Sequence, residues 1–194
     1  MPQKIILASS SVQRQSLMRA LNIPFEIIPA EIDEQTIRDR DLSKQAEKIA
    51  RAKAEAVSKQ HKGIIIAGDT FTVLDGNALE KPKDVEEARQ MLRLLSGKKG
   101  VNHNGFCYLD KKNNINYSTT ASAEFRFREL SQMEIDAYVS KFPVTTWAAA
   151  FSPAYIYVMT LIAEMKGTFT GFSHGLPIEI LVPLLKKSGF GVHP

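Results

Sequence analysis

The sequence predicts an α/β protein built on a mixed sheet, and three observations carry that prediction. Residues 4–8 (KIILA) and 63–67 (GIIIA) are short uninterrupted apolar runs, the pattern of strands buried on both faces. Between them, residues 42–59 carry Ala46, Ile49, Ala50, Ala54 and Val57 at helical spacing. Further on, residues 105–109 and 118–128 read as two strands joined by the polar turn at 111–114. Strands alternating with helices define the class, and a hairpin makes the sheet mixed.

The remaining elements follow in order. Ser9-Ser10-Ser11 is a polar turn, after which residues 12–21 place Leu17, Met18 and Leu21 on a helical face. Residues 25–28 form a second short strand. The run 63–67 ends at Gly68-Asp69-Thr70, and residues 71–74 continue as a strand to a tight turn at Asp75-Gly76. Asp84 and Glu87 have capping-box spacing and open a helix to Leu95, which Ser96-Gly97 ends. Ser131 and Glu134 repeat the capping box and start a helix to about Lys141. Residues 155–162 are rich in tyrosine and β-branched side chains and read as a strand. Residues 177–187 close with a helix. No repeat or low-complexity tract interrupts this order, and the 194 residues read as one domain of two lobes without a separable linker.

Composition narrows the function. Hydrophobic residues at 44% and charged residues at 24% suffice for a packed core and argue against disorder. A net charge of +4 suits a polyanionic ligand but is too small to demand nucleic acid. Cys107 is the sole cysteine, so an intrachain disulfide and a cysteine-based zinc cluster are both excluded. Met1-Pro2-Gln3-Lys4 leads straight into the first strand with no signal-peptide pattern, and a cytoplasmic location is expected. The 20 residues 144–163 carry no charge, the length of a membrane span, but break at Ser152-Pro153. They are expected to form a loop followed by a buried strand, with no membrane contact.

Several residues can carry chemistry. Free N–H groups in the Ser9-Ser10-Ser11 turn, at a helix N-terminus, attract anions, and Arg14 one turn later can reach the same anion. Plain capping by Ser11 with a solvated Arg14 explains that segment equally well. Asp69, delivered by a buried strand, stands where open α/β sheets place active sites, and can hold Mg²⁺ or orient water. Glu80-Lys81-Pro82 holds a lysine on a restricted backbone. Asp33-Glu34 follows a strand as an acidic pair, and Lys53 projects from an alanine-lined helix face. His61, His103, His174 and His193 show no metal-ligand spacing and are taken as structural or exposed.

In this order and spacing the segments resemble the Maf family of nucleoside triphosphate pyrophosphatases. The matching pieces are Leu7-Ala8-Ser9-Ser10-Ser11, Arg14, Ile32-Asp33-Glu34, Ala50-Arg51-Ala52-Lys53-Ala54, Ala67-Gly68-Asp69-Thr70, Glu80-Lys81-Pro82, Leu95-Ser96-Gly97-Lys98, Phe127-Arg128-Glu129-Leu130 and Gly175-Leu176-Pro177. The resemblance implies a Maf/ITPase-like elongated mixed sheet, with two lobes flanking a deep nucleotide-binding cleft. It implies that Ser11, Gln13, Arg14, Lys53 and Lys81 bind substrate, and that Asp69 and Glu34 are the catalytic and metal-holding carboxylates. It also implies Mg²⁺, or a divalent cation such as Mn²⁺, as cofactor, a nucleoside triphosphate as substrate and no stable nucleic-acid partner; a homodimer is compatible with it.

Three departures stand out against the family pattern. Ser11-Val12-Gln13-Arg14 replaces the usual Ser-Pro-Arg-Arg or Ser-Pro-Trp-Arg, so Gln13 stands where an arginine or tryptophan separates substrate subclasses. The glycine-rich motif ending in Gln-Gly or Glu-Gly reads Ala148-Ala149-Ala150-Phe151-Ser152-Pro153-Ala154, without Gln or Glu. The usual threonine-glycine of the middle strand reads Asn104-Gly105. The first two imply a nucleobase pocket looser than that of a typical relative, with hydrolysis retained. Two other classes stay open from sequence: a catalytically weak nucleotide-binding regulator, and a basic nucleic-acid-binding protein that would lack the usual basic stripe interleaved with aromatics.

Overall fold

The computed structural model describes residues 3–191; Met1, Pro2 and His193 lie outside the described residues. In chain order the strands are β1 (Ile5–Leu7), β2 (Glu26–Ile27), β3 (Ile64–Leu74), β4 (Asn77–Leu79), β5 (Lys99–Asp110), β6 (Ile115–Phe127) and β7 (Ile162–Gly167). The helices are α1 (Val12–Ala20), α2 (Leu42–Gln60), α3 (Val85–Leu95), α4 (Gln132–Lys141), α5 (Phe169–His174) and α6 (Ile178–Lys187). One sheet runs β2-β1-β3-β5-β6-β7, with β4 also paired to β3. β1 is parallel to β2 and β3, whereas β3, β5, β6 and β7 form an antiparallel series. The expected α/β class and mixed sheet are therefore present.

Side-chain alternation on β3 builds the first half of the core. Ile64 and Ile66 point to one face and pack with Leu17 and Met18 of α1 and Leu181 and Leu185 of α6. Ile65 and Ala67 point to the other face, against Ala50 and Ala54 of α2. Burial on both faces is why this run is continuously apolar. The other half of the core gathers Leu92 of α3, Tyr138 of α4, Phe125 and Phe127 of β6, and Trp147, Phe151 and Phe172. Asp41 caps α2 by accepting from the N–H groups of Ser43 and Lys44. The Asp75-Gly76 turn, with both residues at positive φ, closes the β3–β4 hairpin as a primed turn requires.

Four sequence expectations change. β3 passes unbroken through Gly68-Asp69-Thr70, because it pairs with β5 from Ile64↔Asp110 to Val73↔Val101. Asp69 is thus a mid-strand residue and not a strand-end one. The segment 155–162 is not a strand: Ile156–Leu161 is a 3-10 helix, and pairing with β6 begins only at Ile162. The uncharged stretch 144–163 accordingly holds 3-10 turns at Val144–Thr146, Ala148–Ala150 and Ile156–Leu161. Among the described residues, no helix is long and apolar enough to cross a membrane. The Asp84/Glu87 pair is half a capping box: Asp84 accepts from Glu87 N–H, but the Glu87 carboxylate accepts from Lys83 N–H. At Ser131 and Glu134 both halves form. The short helix α5 was not anticipated.

Candidate active site

The cleft opens where β3 loses its neighbour. One edge of β3 is fully occupied by β5. The other is paired with β1 over Ile64 to Ile66 and with β4 from Thr72 to Leu74. Between these, residues 67–71 have no strand partner on that edge. A cavity of about 980 Å³ lies there, a size suited to a nucleotide-scale ligand. Because the cavity wraps a strand edge, residues from both faces of β3 line it, Asp69 from one and Thr70 and Thr72 from the other.

Asp69 faces α2. Lys53 reaches over from that helix, with its Nζ 2.9 Å from Asp69 Oδ1 and 3.0 Å from Glu34 Oε2. The approach of α2 depends on Gly105, the residue paired with Asp69 across β3 and β5. A Cβ at Gly105 would overlap the carbonyl of Ala46, so the helix rests directly on the glycine. Lys53 sits two turns beyond Ala46 on the same helical face. Glu34 enters from the 3-10 turn Glu34–Thr36, whose N-cap is Asp33; the Asp33 carboxylate accepts from Gln35 N–H. The acidic pair therefore divides its work, with Asp33 shaping the turn and Glu34 facing Lys53.

Arg14 is buried at the cleft floor. Its Nε donates to Gly175 O, Nη1 to Ser9 Oγ and Nη2 to Thr70 Oγ1. Burial lowers its pKa, and the nearby charges of Asp69 and Glu34 act in the opposite sense. Its acceptors are all neutral, so its charge is compensated only at a distance, and N–H donors remain for an anion. Gly68 and Gly175 make room for it, since a Cβ on either would stand 3.0 Å from Arg14 Nε. Ser11 caps α1, accepting from Arg14 N–H and donating to Gln13 Oε1. The capping and anion-site readings of this turn are thus compatible, because Arg14 is not solvated. Lys81 lies exposed on the opposite rim, where Ala149 N–H donates to Glu80 O and ties the two loops together.

All seven residues expected at the site, Ser11, Gln13, Arg14, Glu34, Lys53, Asp69 and Lys81, line this one cavity. Arg38, Asn102 and His174 line it too and were not singled out as site residues from sequence. Arg38 carries no motif. His174 was set aside for lack of metal-ligand spacing; here its Nδ1 pairs with Ser173 Oγ, and burial lowers its pKa. Among the described residues, no group of three His, Cys, Asp or Glu could hold a metal. Asp69 Oδ2 and Glu34 Oε1 are nevertheless uncommitted to Lys53. Two carboxylates fit Mg²⁺ of the kind that completes its shell with substrate phosphates, and do not make an all-protein cage.

An open α/β sheet with a carboxylate-bearing cleft lined by Arg14, Lys53 and Lys81, at a break in strand pairing, is an arrangement that can accept a polyanionic ligand. The chain belongs to the Maf family: the model described as "Maf-like protein" matches residues 4–188. A relative from Ruminiclostridium cellulolyticum, named dTTP/UTP pyrophosphatase, is 34% identical over 187 residues, covering 95% of this chain and 96% of the relative. One of the same name from Thermotoga maritima is 34% identical over 184 residues, covering 92% and 88%. The expected enzyme class, a hydrolase acting on acid anhydrides, is the class of these relatives. The fold is similar to that of a HAM1 protein from Coxiella burnetii, with a TM-score of 0.51 and 17% identity over 95% of this chain and 99% of that one.

Proposed function

We propose that the protein hydrolyses a nucleoside triphosphate between its α- and β-phosphates, giving a nucleoside monophosphate and pyrophosphate. The observation that carries this reading is the Lys53 ammonium set between Asp69 and Glu34 in a cleft also lined by Arg14 and Lys81. Cations offset the triphosphate charge, and a carboxylate beside them activates water. As a water oxygen bonds to the α-phosphorus, its proton passes to Asp69. The bond to the bridging oxygen breaks, and pyrophosphate leaves with the electron pair. Lys53 holds the Asp69 carboxylate in place and faces the charge that develops on the phosphoryl oxygens. Arg14, fixed by three hydrogen bonds, and the Ser9-Ser10-Ser11 turn provide donors that need no reorganisation. Mg²⁺ or Mn²⁺, held by Asp69 and Glu34 together with phosphate oxygens, would supply Lewis-acid stabilisation.

The names of the relatives make UTP and dTTP the first substrates to try, with modified nucleotides beside them. The test is a panel of triphosphates with and without Mg²⁺, assayed for nucleoside monophosphate and pyrophosphate. Monophosphate and pyrophosphate in equal amounts support the reading. Diphosphate and inorganic phosphate would mean a different bond is cut, and binding without turnover would favour the regulatory alternative.

A further inference from the structure

Asn102 is 4% exposed and lines the cleft, and its Oδ1 has no hydrogen-bond partner among the described residues. Its Nδ2 donates to Thr72 Oγ1 at 3.2 Å, and the two residues are cross-strand partners on β5 and β3. A buried acceptor left unsatisfied is costly, and such atoms are rare in folded proteins. The surrounding cleft wall is apolar and aromatic, with Leu79, Trp147, Phe151 and Phe172. Among the described residues no polar group satisfies the oxygen. The atom itself is covered, but the residue lines the cleft, so a small rotation of the carboxamide would bring the oxygen to a ligand held there.

We propose that Asn102, steadied by Thr72, reads the nucleobase, with Asn102 Oδ1 accepting the ring imide N–H of a uracil or thymine. The inference rests on the pyrophosphatase reading above and adds its specificity residue. Thr72 lies three residues along β3 from Asp69, about 10 Å at the rise of a strand, which leaves room for sugar and base beyond the α-phosphate. Thr72 Oγ1 accepts from Asn102, so its own O–H is left to donate. The pair therefore offers an acceptor and a donor side by side, the complement of the N–H and C=O edge of an imide. For a pyrimidine held in place by its sugar and phosphates, ring N3 is a donor in uracil and an acceptor in cytosine, and only uracil satisfies Oδ1 there. The missing Gln or Glu at 148–154 thus does not leave the pocket without polar recognition, because these two strand residues provide it.

The experiment compares kcat/KM for UTP and CTP in the parent protein and in Asn102→Leu, with inhibition by inorganic triphosphate and thermal stability measured on both. The parent is expected to favour UTP at least tenfold. Asn102→Leu should lower kcat/KM for UTP by about tenfold to a hundredfold, the size of one buried hydrogen bond left unmade. It should bring the UTP/CTP ratio near one, leave inhibition by inorganic triphosphate unchanged and not lower the melting temperature. Thr72→Val, which releases the carboxamide, should narrow the ratio as well and serves if the leucine variant does not fold. An unchanged UTP/CTP ratio in both variants, or an equal loss for inorganic triphosphate, overturns the proposal. If the parent turns over no triphosphate, the catalytic reading fails, and equal binding of UTP and CTP by calorimetry then overturns this one separately.

Discussion

Lys53 Nζ lies 2.9 Å from Asp69 Oδ1, and both side chains are only 12% exposed. A helix and the middle of a strand have been brought together to place an ammonium beside a carboxylate inside a cleft. A partly buried pair of this kind is costly to break from one side, because the remaining charge is left without compensation. Lys53→Met is expected to destabilise the protein by about 1–3 kcal/mol and to weaken triphosphate binding. The double variant Lys53→Met/Asp69→Asn should recover much of the lost stability while staying inactive. Urea unfolding of the four proteins measures the coupling, and strictly additive losses would mean the pair is not energetically linked.

Asp69→Asn keeps the shape of the side chain and removes its charge. Turnover is expected to fall about a hundredfold or more, as on loss of a general base. In the absence of a divalent cation, loss of negative charge beside Lys53 should leave triphosphate binding intact or tighter, so the loss of turnover belongs in kcat and in metal affinity. Steady-state kinetics on the folded variant decide this, and near-parental kcat would remove Asp69 from the chemistry.

Gly105→Ala tests how the site is held. The added methyl meets the Ala46 carbonyl on α2, so the helix has to move away from β5. Overpacking of this kind costs about 1–3 kcal/mol, or more where backbone is the obstacle. Displacing α2 also separates Lys53 from Asp69, so kcat should fall along with stability. A variant with parental stability and activity would show that the contact is soft.

Much of this was legible in the sequence, and the exceptions share a cause. The buried runs in β1 and β3 and the amphipathic α2 announced themselves through local pattern, whereas Glu34, Lys53 and Lys81 stood out as site candidates only through the order and spacing of the family's segments. Asp69 was found, but at a strand end, since Gly68 and Thr70 read locally as punctuation; continuous pairing with β5 overrides that signal. The strand expected at 155–162 failed for the opposite reason, because β-prone side chains there have no partner strand. Asn102 and Thr72 carry no motif at all. Their polarity becomes informative only once cross-strand register places them side by side in a cleft.

Acid should reveal Glu134. Its carboxyl is pushed down to about 2, first by the Ser131 backbone N–H, then by Arg128 and the Ser131 hydroxyl. A carboxyl whose folded pKa is depressed contributes stability above its unfolded value of 4.5, and that contribution is lost as pH falls toward 2. Glu134→Gln retains a capping side chain but not the charge. It should melt below the parent at pH 7, with the gap closing as pH drops from about 5 to about 2. A gap that does not change with pH would assign the effect to shape and not to charge.

Ala149 offers a contrast with Ala50, since both are fully buried alanines in very different backbone states. Ala149 has φ 56° and ψ 20°, the left-handed region, where a non-glycine residue costs about 1–2 kcal/mol. Replacing it with glycine releases that strain. Against this stand about 0.8 kcal/mol for the lost buried methyl and about 0.4–1 kcal/mol for the freer unfolded chain. The terms nearly cancel, so Ala149→Gly should change stability by less than about 1 kcal/mol. Ala50 lies inside α2, where glycine releases no strain. There the helix cost of about 1 kcal/mol adds to the lost methyl, and Ala50→Gly should cost about 2 kcal/mol. Denaturant unfolding of both variants measures the difference directly. Because Ala149 N–H also donates to Glu80 O beside Lys81, the Ala149→Gly variant is further expected to keep its affinity for triphosphate. Equal losses of stability in the two variants would mean that the left-handed turn at Ala149 stores no strain.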